Sequence, residues 1–242
     1  MCFVTSGAAL EAFRAEAQSL SEAVAREAGA ALGRPSQCPP WTVGDLLYHV
    51  RISVGRLTSM LTEPEPEPEP EPDGAGPDGG RLVSAADYYR PDQRFSPATN
   101  ADRVAAAQRG AAGLPAGTLA ADFDQAWREA WALVRSAPPG RVVRTRHGDR
   151  MRLAEFLRTR VVELAVHGLD LAMGLGREPW LTPQAAGVVE GLMLSPAAAA
   201  VIRRDLGWDQ ASLIAKITGR SPLTPAEQAH VEHLGIRWLA LG

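Results

Sequence analysis

An all-α bundle is the fold this sequence predicts, and three observations predict it. Apolar residues recur at helical spacing in several long stretches, prolines and glycines collect between those stretches, and period-two alternation occurs only once, over Arg141-Val-Val-Arg-Thr-Arg146. With 242 residues and 45% hydrophobic content the chain can bury a substantial core without disulfide staples.

The first element is a helix over Ala8 to Leu32, where Leu10, Phe13, Ala17, Leu20 and Val24 repeat at helical spacing. Gly33 to Pro40 is a loop stiffened by its prolines. A second helix opens at Trp41-Thr-Val-Gly-Asp45, with Thr42 as N-cap and Asp45 favouring the helix start, and runs to about Leu61. Glu63 to Pro72 are Glu-Pro repeats, followed by a Gly-rich run to Gly80; alternating proline and like charge predict an extended or disordered insertion over 63–80. Tyr88-Tyr-Arg-Pro91 reads as irregular. Helices follow at about Asn100 to Ala112 and Leu119 to Ser136, ended by Pro138-Pro-Gly140. Arg141 to Arg146 and the turn His147-Gly-Asp149 form at most a minor hairpin. A long helix spans Leu153 to Leu175 and stops near Gly176. The remainder is helical at about Pro183 to Leu194, Pro196 to Leu206, Gln210 to Thr218 and Pro225 to Leu239.

Composition narrows the function. Net charge is −3 and no basic block appears, which argues against nucleic acid, because phosphate binding needs clustered Lys and Arg. Lys216 is the only lysine among many arginines. The start, Met1-Cys-Phe-Val-Thr-Ser-Gly7, lacks the pattern of a secretory signal and no long apolar run follows, so a cytoplasmic protein without a membrane segment is expected. Cys2 and Cys38 are then free thiols, and nothing around Cys38 promises the lowered pKa of a nucleophile.

The most informative pair is Glu163 and His167, four residues apart on the long helix, so that both side chains can reach one metal ion. Two ligands do not make a site; His49 on the second helix is the candidate third, at the edge of that helix's apolar stripe, with Asp45 one turn away as a group that could orient its ring. On the long helix the same face carries Arg160 and Asp170. Two readings remain open: a solvated face with Glu163 paired to Arg160 and His167 to Asp170, or a polar stripe turned into a cavity. His147 sits in an exposed turn, and His230 and His233 lack a third partner. Trp41, Tyr48, Ile52 and Phe156 are the expected pocket lining.

Cys38-Pro-Pro-Trp41-Thr-Val-Gly-Asp45-Leu-Leu-Tyr-His49 and Glu155-Phe-Leu-Arg-Thr-Arg160-Val-Val-Glu163-Leu-Ala-Val-His167-Gly-Leu-Asp170 resemble the two signature blocks of the mycothiol-dependent maleylpyruvate isomerase family, of the DinB-like superfamily. The resemblance implies a DinB-like four-helix bundle over residues 1–176 with a short helical C-terminal extension, 177–242, where better-known members carry an α/β domain. It implies a divalent metal, usually zinc, held by His49, Glu163 and His167, with Trp41, Asp45, Arg160 and Asp170 in supporting roles. Mycothiol would be the co-substrate, and dimerisation through helix faces is common in such bundles, so a homodimer is allowed.

The leading expectation is therefore a metal-dependent thiol transferase or isomerase acting on a small electrophilic metabolite. A second keeps the metal as a Lewis acid for thiol-independent hydrolysis, isomerisation or cyclisation. A third is a non-catalytic helical binding or regulatory protein.

Overall fold

The structure is a computed structural model that describes residues 6–27, 29–66, 82–112, 114–236 and 239. In chain order it contains α1 (Ser6–Val24), a single turn α2 (Gly29–Leu32), α3 (Val43–Thr62), the short α4 (Ala85–Tyr88), a 3-10 turn (Gln93–Phe95), α5 (Pro97–Ala111) and α6 (Ala116–Ser136). An antiparallel hairpin of β1 (Val142–Arg144) and β2 (Arg150–Arg152) leads into α7 (Leu153–Leu175). Then come α8 (Pro183–Met193), α9 (Pro196–Leu206), α10 (Gln210–Ile217) and α11 (Pro225–Val231). Among the described residues no single helix is long and apolar enough to cross a membrane.

Four long helices close a ring: α1 and α3 each pack on both α6 and α7. Phe13, Leu47, Phe123, Phe156 and Leu164 are wholly buried in the shared core. The helix α7 is buried almost all round because α8 covers it on a side the bundle leaves open. On the far side α5 lies against α3, and Gly110 permits that approach: a Cβ there would sit 1.9 Å from the Tyr48 ring.

Several boundaries depart from expectation for physical reasons. The first helix ends at Val24, not Leu32, because Arg177 donates to the Ala23 carbonyl at 3.0 Å and pairs with Glu27 at 2.6 Å, capping the turn from far along the chain. The stretch before Pro91 is not wholly irregular: Ser84 Oγ accepts from Asp87 N at 3.1 Å and starts α4. The last helix stops at Val231, and Gly235 takes φ 61°, a conformation no α-helix continues.

Of the Glu-Pro insertion, 67–80 lie outside the described residues, as does Cys2. Its flanks are tied to the hairpin: Arg141 donates to the Glu63 carbonyl at 2.7 Å and the Val142 amide to Glu65 at 3.0 Å, while the Val83 amide donates to the Arg150 carbonyl at 2.9 Å.

Candidate metal centre

His49 is placed by the start of α3. Thr42 Oγ1 accepts from the Asp45 amide at 3.1 Å and Asp45 Oδ2 accepts from the Thr42 amide at 2.9 Å, a reciprocal cap that fixes the phase of the helix. Asp45 is thereby occupied and does not orient His49. That task falls to Trp41, whose ring stacks on the imidazole at 4.8 Å between centroids.

From α7, Glu163 and His167 face the same space. Glu163 Oε2 lies 3.3 Å from His49 Nε2 and 3.6 Å from His167 Nε2, and the two imidazoles meet edge to face at 5.1 Å. The donor atoms of all three lie within 4.8 Å of one another. Both i, i+3 pairs foreseen for a solvated face exist, Arg160 with Glu163 at 3.9 Å and His167 with Asp170 at 3.0 Å. They occur inside: Arg160, His167 and Asp170 are buried and Glu163 nearly so.

Burial sets the electrostatics. Desolvation pulls His49 down to about 4, outweighing the opposing pull of Glu163, so the ring is neutral and its nitrogen lone pair available. Burial would raise Glu163, but the His49 hydrogen bond and the Arg160 charge hold it far below the carboxylate range. Asp170 is likewise lowered to about 2 against burial, by His167 and Arg220. The Tyr89 hydroxyl, pushed well upward by burial and the Glu163 charge, donates to the Thr159 carbonyl at 2.9 Å and lies 3.5 Å from Glu163 Oε1.

Ligand atoms about 2.1 Å from a tetrahedral zinc are roughly 3.4 Å apart. The 3.3 and 3.6 Å separations from Glu163 fit that spacing, and two imidazoles with one ionised carboxylate are an apt donor set for a divalent ion. A second cluster, Cys38, His167 and Asp170, is also close, but Cys38 is pushed up to about 12 by burial and the Asp170 charge, so its sulfur is a protonated donor to Asp170 at 3.3 Å.

The three residues lie on a cavity of about 970 Å³. Trp41 and Ile52 line it as expected, whereas Tyr48 is turned against α5 at Gly110 and Phe156 is wholly buried in the core. His147 lines it too and its ring lies 5.9 Å from Tyr88, so its turn is not simply exposed; His230 sits 3.3 Å from Asp205, and His233 is exposed. Nothing in the sequence singled out Tyr89 or the lining arginines other than Arg160. Among the described lining residues, Arg56, Arg103, Arg109, Arg146, Arg160 and Arg220 outnumber the carboxylates of Asp102, Glu163 and Asp170. Burial, then the charges of Arg146 and Arg160, lower Arg56, a sign that these cations crowd one another.

Residues 13–172 match the profile of the mycothiol maleylpyruvate isomerase N-terminal domain. Among solved structures, the crystal structure of the mycothiol-dependent maleylpyruvate isomerase is similar at 17% sequence identity, over 83% of this chain and 71% of that one, with a TM-score of 0.49. No curated protein sequence matches significantly.

Proposed function

The chain belongs to the mycothiol maleylpyruvate isomerase N-terminal domain family, with the all-α, DinB-like bundle that family implies, and from that premise we propose that it is a metal-dependent enzyme of thiol chemistry. In this reading His49, Glu163 and His167 hold a divalent ion, zinc by donor type. The substrate is a small electrophile, and mycothiol, named for the relatives, is the co-substrate. The observation that carries the reading is the meeting of three donors, His167 buried and His49 and Glu163 mostly so, from two helices on a roomy cavity.

A bound divalent ion would supply Lewis acidity, lowering the pKa of a thiol or water at its open position. The remaining tasks fall to the protein. Trp41 holds the His49 ring by stacking, and Asp170, accepting from His167 Nδ1, leaves Nε2 as the free lone pair. Arg160 and Tyr89 steady the Glu163 carboxylate. Arg56, Arg103 and Arg146 make the cavity cationic and favour an electrophile that carries a carboxylate or similar anion. Addition of the thiol sulfur to an electron-poor double bond, rotation about the resulting single bond and expulsion of sulfur would exchange cis for trans and return the thiol unchanged. Cys38, protonated and hydrogen-bonded to Asp170, is not the nucleophile in this scheme.

The test is metal content together with turnover of maleylpyruvate or another conjugated acid, with and without mycothiol. His49→Ala and His167→Ala are expected to lose both metal and activity. Full turnover by a metal-free variant refutes the proposal, and thiol-independent turnover redirects it to Lewis-acid chemistry at the same three residues.

A further inference from the structure

The candidate site is joined to a part of the chain beyond the family match, which ends at residue 172. Arg220 follows α10 in a tight turn: Gly219 takes φ 76°, and the amides of Arg220 and Ser221 both donate to the Ala215 carbonyl, at 2.7 and 3.0 Å. The turn sends the Arg220 side chain back to α7. Nη1 donates to the Thr218 carbonyl at 2.7 Å, while Nε and Nη2 form a fork on Asp170, 3.1 Å to Oδ1 and 3.0 Å to Oδ2. The same Oδ2 accepts from His167 Nδ1 at 3.0 Å and from the Cys38 sulfur at 3.3 Å.

This is not a surface ion pair. The Arg220 and Asp170 side chains are 11% and 2% exposed. A two-point guanidinium fork fixes the plane of a carboxylate, which a single-point cation does not. The plane matters because it decides where His167 finds its acceptor. An Asp170 free to rotate would release Nδ1, and the imidazole could then change tautomer or swing its Nε2 away from Glu163.

We propose that Arg220 is a positioning residue for the metal centre: by fixing Asp170 it keeps His167 Nε2 aimed at the site, and it thereby couples the docking of the α10 segment to metal affinity. The inference rests on His49, Glu163 and His167 being the ligands, and assigns a role in that site to a residue outside the family match. Coupling is reciprocal, so metal binding tightens the docking of α10 by the same factor that Arg220 tightens metal binding.

The experiment measures zinc dissociation constants by chelator competition for the wild type, Arg220→Ala, Arg220→Lys, Asp170→Asn and the Ala/Asn double variant, with zinc-dependent hydrogen exchange of residues 210–220 in the wild type. Arg220→Ala is expected to weaken zinc binding about 10- to 100-fold, the range for partners that orient a metal-bound imidazole. Lysine, which keeps the charge and loses the fork, recovers only part of that. In the Asp170→Asn background the Arg220→Ala change costs nothing further, a result that general destabilisation would not give. Zinc slows exchange in 210–220. An Arg220→Ala dissociation constant within twofold of wild type, or exchange unmoved by zinc, overturns the proposal; if the Ala variant does not fold, the Lys variant and the exchange measurement decide. A wild type that binds no zinc overturns the ligand assignment and this role with it.

Discussion

Replacing Glu16 with glutamine should change how the stability of this protein responds to pH. Glu16 is a wholly buried carboxyl on α1 that reaches the start of α8: its Oε2 accepts from the Thr182 amide at 2.8 Å and from Thr182 Oγ1 at 2.6 Å, while Oε1 finds no hydrogen-bond partner among the described residues. Desolvation outweighs the two Thr182 bonds and lifts the group from 4.5 to about 7. The folded protein therefore holds a proton that the unfolded chain releases near 4.5. Its stability contribution is fully present below that pH, declines as pH rises, and is gone once pH passes about 7. For a pKa of about 7 against 4.5, the change between pH 5 and pH 8 amounts to about 2 to 3 kcal/mol. Glutamine keeps an acceptor for Thr182 and does not titrate. Urea unfolding followed by circular dichroism at pH 5, 6, 7 and 8 should show Glu16→Gln gaining on wild type by that amount as pH rises; all other titrating groups are shared and cancel. A difference that stays constant within about 0.5 kcal/mol over this range would refute the reasoning.

Three further outcomes are expected. Gly110→Ala must push the Tyr48 ring aside and should cost about 1 to 3 kcal/mol in denaturant unfolding, a cost relieved when Tyr48 is also shortened to alanine. Cys38 is held protonated, so its alkylation by iodoacetamide at pH 8, read by peptide mass spectrometry, should be on the order of a thousandfold slower than in the unfolded chain. Arg56→Ala should raise KM for a carboxylate-bearing electrophile about tenfold while leaving an uncharged analogue within twofold, because only the anion loses a charge-assisted contact.

What the sequence disclosed and what it withheld follow from the range of the interactions. The starts of α3 and α7, the i, i+4 relation of Glu163 and His167 and the stop at Gly176 are local, and they could be read from spacing and caps. The direction in which the polar stripe of α7 points is not local. It depends on α3 lying opposite and α8 covering the other side, so the helix alone favoured a solvated face and left a cavity wall as the alternative. Tyr89 was hidden because α4 is too short to show a period. The cavity arginines were hidden by composition: in a chain with one lysine and arginine everywhere, no single guanidinium stands out before the fold gathers Arg56, Arg103 and Arg146 from α3, α5 and the hairpin turn.

The hairpin of β1 and β2 holds the chain at both ends of the Glu-Pro and Gly-rich insertion, through Glu63 and Glu65 at its start and Val83 beyond its end. A span whose two ends are clasped at one place can change length cheaply, since each doubling of a loop costs only about 0.6 kcal/mol in closure entropy. The clasp thus makes this stretch a natural graft point, where a reporter or affinity peptide could be spliced in while the helices beneath keep their packing.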